Sequence, residues 1–183
     1  MQVLKEIITL LEKYKDEEVS ITITGHSMGA AIAQLNAVDI ILNKYNYPTG
    51  QADKPIPVTA IVFASPRVGD RGFKQLYDEL KVKAPVRILR IANADDDITI
   101  IPRIFYVPVG EELIIDTTKS PFLKDVKKTV HDLEVYLHGV AGLTQGSGND
   151  FEFAISRDHK LINKNTDGLK DEYKIPSNWW TEE

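Results

Sequence analysis

The segment ITITGHSMGAAIAQ, residues 21–34, constrains the fold more than any other part of the 183-residue sequence. Its β-branched run predicts a buried strand, and the small and apolar residues that follow predict a buried helix. Between them Ser27 has a glycine two positions to either side. In a sharp strand-to-helix turn such glycines avoid clashes and leave the serine hydroxyl exposed above the sheet. We therefore predict that Ser27 is a nucleophile and that the Met28 backbone N–H, at the helix N-terminus, stabilises an oxyanion.

Strands and helices alternate along the first half of the chain. The predicted strands are Val19–Thr24, Val58–Ala64 and Val86–Ala92, and the predicted helices are Gln2–Lys15, Met28–Lys44, Asp70–Leu80 and, farther on, His131–Val140. Short cycles of this kind imply βαβ crossovers, so we expect an α/β fold with a mostly parallel sheet and helices on both faces. Beyond them, Ile104–Val109 and Glu112–Asp116 have the pattern of a β-hairpin across Gly110 and Glu111.

A nucleophilic serine needs a base, and in the α/β-hydrolase chain order the histidine comes last. Three histidines follow Ser27. His131 opens a predicted helix after a loop, His138 lies on the apolar face of that helix, and His159 lies in a charged, solvated segment. We predict that His131 is the base and that His138 is structural.

The orienting acid is expected on a loop after a strand, between the serine and the histidine in sequence. The turn Asn93–Asp97 directly follows the strand Val86–Ala92 and ends in three carboxylates, Asp95, Asp96 and Asp97. Composition does not choose among three adjacent carboxylates, so all three stay candidates at this point. The turn lacks the alternating carboxylates and the glycine of an EF-hand calcium loop, and we expect no metal and no other cofactor.

Composition narrows the class of partner and the compartment. The net charge of −5 comes without a basic cluster, which argues against a nucleic-acid partner. The longest apolar region, Ala30–Leu42, is interrupted by polar residues and is too short to cross a bilayer, so we expect only peripheral membrane contact. The absence of cysteine favours an intracellular, cytoplasmic location.

Several segments carry a resemblance to a known family: residues 24–31, 36–39, 63–69, 110–113, 131–138 and 167–171, together with Trp179. These segments resemble the class 3 lipases of the α/β-hydrolase fold, and among them the plant phospholipases A1 of class II. The resemblance implies hydrolysis of the sn-1 acyl ester of glycerophospholipids. It assigns the nucleophile to Ser27, the base to His131 and, through the family pattern N-x-x-D beginning at Asn93, the acid to Asp96.

Two departures from that family pattern concern the acid. Thr99 stands where a proline is common, and Asp97 stands where an apolar residue is usual. The register of the acid is therefore open by one residue, between Asp96 and Asp97.

We expect residues 1–183 to form the C-terminal catalytic part of one lipase domain. Family members carry an upstream region with the first strands, a lid and the second oxyanion donor, so we expect a sheet without its N-terminal strands. We expect a chain of this kind to hydrolyse a soluble activated ester slowly and not to attack a phospholipid efficiently. The alternatives are a non-catalytic remnant that binds lipid or a protein partner, a serine peptidase or thioesterase on the same scaffold, and a bare turn serine in a dinucleotide-like loop.

Overall fold

The computed structural model describes residues 2–51, 53–142, 151–164 and 166–174, and Trp179 lies outside them. The helices are α1 (Gln2–Lys13), α2 (Met28–Leu42), α3 (Arg71–Lys83), α4 (Val126–Thr129) and α5 (Leu133–Ala141). The strands are β1 (Ile21–His26), β2 (Val58–Phe63), β3 (Gly69–Asp70), β4 (Val86–Asn93), β5 (Tyr106–Val107) and β6 (Glu111–Ile115). Short 3₁₀ turns cover residues 97–100, 117–119, 159–164 and 171–173.

The main sheet has the strand order β1-β2-β4-β6. The β1–β2 and β2–β4 pairs are parallel, and the register places Ile21 beside Val58 and Val58 beside Val86. Because α2 and α3 connect these strands, two βαβ crossovers build the sheet. The expected α/β fold with a mostly parallel sheet is confirmed.

The expected hairpin between residues 104–109 and 112–116 is wrong. β5 pairs in antiparallel fashion with β3, whereas β6 lies beside β4 in the main sheet. The reason is the packing of the turn at Gly110, which has φ 95°. A Cβ on Gly110 would lie 2.7 Å from the Ile88 carbonyl oxygen. The turn therefore packs against β4, and the two segments it joins pair with different strands.

The apolar face of α1 is only partly buried. Leu11 is buried, and Leu4 and Ile7 pack against the core. The apolar spacing of the helix also places Val3 and Leu10 on this side, but both side chains are exposed.

The chain packs as two compact units, which are residues 1–91 with 97–113 and residues 92–96 with 114–183. In the first unit the core is formed by one side of α2 together with the inward side chains of β2 and β4. In the second unit, Leu123, Val135, Ile162 and Leu169 form an apolar cluster. Each unit thus has its own buried apolar residues.

Within the described ranges, none of the helices combines the length and the apolar character needed to cross a bilayer.

Candidate active site

Ser27 lies in a strained turn between β1 and α2. Its backbone has φ 57° and ψ −123°, and a positive φ is uncommon for a residue other than glycine. Holding a residue in such a conformation costs on the order of 1–3 kcal/mol, which the surrounding structure must offset. The backbone N–H of Ser27 donates to the Phe63 carbonyl at 3.0 Å and ties the turn to the end of β2.

The two glycines that flank Ser27 have different roles. A Cβ at Gly25 would lie 2.5 Å from the backbone carbonyl carbon of Gly29, so the close approach of β1 to α2 requires glycine at position 25. A Cβ at Gly29 would meet no atom within 4 Å. The sequence pattern predicts that both glycines prevent clashes, and the geometry supports this for Gly25 alone.

We expect Gly25→Ala to lower the free energy of unfolding by about 2 kcal/mol or more, because the new methyl group overlaps backbone atoms. Gly29→Ala is the matched control, since it adds a methyl group in open space and removes a glycine from a helix. It is expected to raise stability by about 0.5–1 kcal/mol. Urea denaturation of both variants measures the difference, and equal losses of stability would contradict this account of the turn.

The Ser27 side chain does not cap α2. Ser27 occupies the N-cap position, yet its side chain makes no capping hydrogen bond, although serine is favoured there for that bond. The first backbone N–H groups of a helix, which include that of Met28, have no intrahelical acceptor, and the dipole adds partial positive charge. The turn therefore offers a hydroxyl beside a potential oxyanion donor, and a capping role for the serine is not supported.

The structure brings Asp96 and His131 together. Nδ1 of His131 lies 2.7 Å from Oδ2 of Asp96, and Asp96 is only 3% exposed. A carboxylate at Nδ1 fixes the ring orientation and leaves Nε2 as the atom that exchanges a proton. The His131 side chain is 34% exposed, so the ring is accessible although its partner is buried.

His131 does not open α5, contrary to expectation. The helix begins two residues later, at Leu133. The reason is Asp132, which is the N-cap residue and whose carboxylate accepts a hydrogen bond from the Glu134 backbone N–H. His131 lies in the turn between α4 and α5.

Composition does not indicate which of the three adjacent aspartates is the acid, but burial distinguishes Asp96 from the other two. Asp95 and Asp97 are exposed, and the carboxylate of Asp97 accepts a hydrogen bond from Arg103 at 2.9 Å. Of these three carboxylates, the one that contacts His131 is that of Asp96.

Tyr136 is a member of the Asp96 network that the sequence analysis misses. Its hydroxyl donates to Oδ2 of Asp96 at 2.7 Å and accepts the Asn93 backbone N–H at 3.1 Å. The side chain of Asn93 in turn donates to the Thr117 hydroxyl at 2.7 Å. Tyr136 is fully buried on the predicted helix that follows His131. The position of Tyr136 five residues after His131 is the one sequence feature that could indicate this role. A buried tyrosine on a helix, however, is ordinarily a core residue.

His138 and His159 also lie in the second unit. His138 is fully buried, and its Nε2 lies 2.7 Å from the Ser120 hydroxyl. Its ring stacks on Phe151 with the ring centres 4.8 Å apart. His159, which we expected in a solvated segment, instead stacks on Phe122 at 4.8 Å. The neighbours Asp158 and Lys160 are exposed as expected, but the His159 ring itself is half-buried against the rings of Phe122 and Tyr173.

Burial lowers the pKa of the His138 ring from 6.5 to about 4, and the positive charge of Arg157 and the neighbouring His159 act in the same direction. The unfolded chain therefore takes up a proton at this site as the pH falls through 6.5, while the folded chain resists until about 4. The free energy of unfolding therefore falls by about 3 kcal/mol as the pH is lowered from 6.5 to 4.

We expect His138→Gln to flatten this part of the curve of unfolding free energy against pH. Urea denaturation of both chains between pH 7.5 and 4 checks it, and parallel curves would contradict it.

Among the described residues, no group of three or more His, Cys, Asp or Glu side chains is placed to hold a metal ion. The expectation of a chain without a metal or another cofactor stays a prediction.

A serine set in a strained turn between a parallel strand and a helix is the arrangement of α/β-hydrolase proteins. Residues 1–106 match the model of the family described as lipase (class 3), and the chain belongs to this family. The family and the fold class indicated by the sequence motifs are confirmed.

The chain is 54% identical over 182 residues to phospholipase A1-IIgamma of Arabidopsis thaliana, a match that covers 97% of this chain and 42% of that protein. It is 50% identical over 186 residues to phospholipase A1-II 3 of Oryza sativa subsp. japonica, covering 99% of this chain and 43% of that protein. The chain thus spans less than half the length of the curated relatives it matches.

Among solved structures, the chain is similar to fungal lipases. The propeptide complex of Rhizomucor miehei lipase matches 62% of this chain and 33% of its own, with 23% identity and a TM-score of 0.49. The lipase of Rhizopus microsporus var. chinensis matches 62% of this chain and 38% of its own, with 25% identity and a TM-score of 0.48.

Proposed function

We propose that the chain carries the catalytic residues of an acyl-ester hydrolase, with Ser27 as nucleophile, His131 as base and Asp96 as orienting acid. The observation that carries the proposal is the backbone of Ser27, at φ 57° and ψ −123° between β1 and α2. Strain of this kind in a serine that does not cap its helix is typical of a nucleophile held ready for attack.

In the proposed reaction Ser27 Oγ attacks the acyl carbonyl carbon while Nε2 of His131 takes the hydroxyl proton. The carbonyl oxygen becomes an oxyanion, which the Met28 N–H stabilises. The tetrahedral intermediate collapses when the ester C–O bond breaks and the imidazolium returns the proton to the departing alkoxide. Water then attacks the acyl-serine by the same route and releases the fatty acid.

The buried hydrogen bonds around Asp96 support its proposed role. Its Oδ2 accepts from both His131 and Tyr136, each at 2.7 Å. Two donors on one carboxylate oxygen fix the direction in which the carboxylate points. A fixed anion at Nδ1 stabilises the imidazolium that forms when His131 accepts a proton.

The proposed substrate is the sn-1 acyl ester of a glycerophospholipid. Support comes from two relatives of about 50% identity that are named phospholipase A1. Contact with a membrane surface follows from that substrate, and a cytoplasmic location remains a prediction. Because the chain spans less than half of those relatives, the proposal concerns the residues that this chain itself contributes.

Two assays test the proposed function. A fluorophosphonate probe should label the 183-residue chain at Ser27, and His131→Ala should abolish labelling because the serine loses its base. Phosphatidylcholine with a labelled sn-1 acyl chain should release that chain as the free fatty acid. Absence of labelling would leave lipid or protein binding as the function, and release of the sn-2 chain alone would refute the assigned position.

A further inference from the structure

An exposed apolar segment of the first unit, residues 100–106, runs from the end of the 3₁₀ turn at 97–100 to the start of β5. Ile104 is 70% exposed and Phe105 is 84% exposed, and Ile100, Ile101 and Tyr106 are each exposed by more than a third. Exposed apolar side chains that are contiguous in this way ordinarily mark a contact surface. This segment is called the apolar loop below.

The backbone holds Phe105 outward. Phe105 has φ 67°, a left-handed conformation that is unfavourable for a bulky residue. The loop is tied at both ends, since the Arg67 backbone N–H donates to the Ile101 carbonyl at 2.8 Å and its guanidinium donates to the Tyr106 carbonyl at 3.2 Å. The antiparallel pair of β3 and β5 continues this attachment. A strained aromatic residue held in solvent by several bonds has no evident structural purpose, which favours a role in binding.

Arginines border the apolar loop. A groove of about 780 Å³ is lined by Arg67, Arg71 and Arg103 together with residues 104–107, and the one acidic residue in its lining is Asp70. The carboxylate of Asp70 already caps α3 by accepting the Phe73 backbone N–H at 2.9 Å. Beside the groove, Asp97 pairs with Arg103 at 2.9 Å. The three arginines therefore exceed the carboxylates of Asp70 and Asp97 by one positive charge, on a chain whose net charge is −5.

We propose that the apolar loop and its bordering arginines form a docking surface for a membrane that contains anionic phospholipids. This proposal rests on the proposed function, because it names the surface by which such a hydrolase reaches its substrate. Ile104 and Phe105 enter the boundary between headgroups and acyl chains, and Arg71 and Arg103 contact lipid phosphates. Apolar side chains at the tip of the loop and guanidinium groups at its border match a bilayer surface, where the acyl chains lie beneath a layer of phosphates.

Binding of the chain to vesicles of phosphatidylcholine, with and without phosphatidylserine, tests the proposal by sedimentation. Phe105→Asn suits the left-handed backbone, which asparagine tolerates, and with Ile104→Ser it should weaken binding by on the order of tenfold or more. Arg71→Gln and Arg103→Gln should each weaken binding to phosphatidylserine vesicles by about fivefold. The matched controls are Val82→Ser, at a position 81% exposed on α3, and Lys127→Gln on α4, and both should bind as the unaltered chain does.

The outcomes separate this proposal from the proposed function. If Ser27→Ala binds vesicles normally and the loop variants do not, the docking surface is supported even where no hydrolysis is found. Hydrolysis of a soluble ester combined with equal vesicle binding by loop and control variants would overturn the docking surface alone. Light scattering adds a further outcome: if the chain is a dimer that Phe105→Asn dissociates while vesicle binding is unchanged, a second copy occupies the surface and the proposal is wrong.

Discussion

Ser27→Ala is expected to abolish hydrolysis of a soluble activated ester by the 183-residue chain, with a rate loss on the order of 10⁵–10⁶-fold if Ser27 is the nucleophile. The reason is that alanine offers no oxygen for acyl transfer, so only uncatalysed attack by water remains. The free energy of unfolding should change by less than about 1 kcal/mol, since the Ser27 side chain does not cap α2. Steady-state kinetics and urea denaturation of the same preparations measure both quantities.

Ser20→Ala is the matched control for this experiment. Ser20 is an exposed serine just before β1, and its substitution should leave the rate unchanged. His131→Ala should match Ser27→Ala in its loss of activity. If Ser27→Ala kept more than a small fraction of the rate, the nucleophile would lie elsewhere in the chain.

The parallel sheet is predictable from sequence because local pattern and tertiary structure agree there. Val58–Phe63 and Val86–Asn93 are apolar, β-branched runs bounded by turn residues. Such runs are stable only when both faces are covered, so they indicate central parallel strands. The helix after Ser27 is equally clear as a helix, but it is not fully buried as expected. One side of α2 packs in the core, whereas Ile32 and Leu35 on the other side are exposed.

The pairing of the segments after β4 is not predictable in the same way. Residues 104–109 and 112–116 have hairpin spacing, and a local rule gives a local pairing. The pairing in the structure depends on the contact of Gly110 with Ile88, a residue more than twenty positions away in sequence. Nothing in the hairpin pattern carries information about that contact.

The candidate site shows the same division between local and distant information. The turn around Ser27 is specified by five consecutive residues, so it can be predicted from the sequence. The choice among Asp95, Asp96 and Asp97 depends on which carboxylate is buried beside His131, a partner 35 residues away from Asp96. The role of Tyr136 is not predictable from sequence for the same reason, because its hydrogen bond to Asp96 forms only in the folded chain. Its position on the helix is also that of an ordinary core residue.

The contact between Asp96 and His131 predicts the second large effect on the rate of hydrolysis. We expect Asp96→Asn to reduce ester hydrolysis by on the order of four decades, the loss that the equivalent change causes in a serine protease. An amide cannot stabilise the imidazolium at His131, and its NH₂ group disturbs the hydrogen bond that orients the ring. The asparagine oxygen can still accept from the Tyr136 hydroxyl, so we expect the variant to fold.

Asp95→Asn and Asp97→Asn are the matched controls, because each removes one negative charge from the same turn without touching His131. Both carboxylates are exposed, so solvent and salt weaken their field at the ring, and we expect rates within about threefold of the unaltered chain. Asp97→Asn also breaks the ion pair with Arg103, but an exposed pair contributes only about 0–1 kcal/mol. Kinetics of the three variants at one pH, with unfolding curves to verify folding, decide the register. A larger loss at Asp97 than at Asp96 would move the acid by one residue and would mean that the buried bond from His131 to Asp96 serves the fold and not the chemistry.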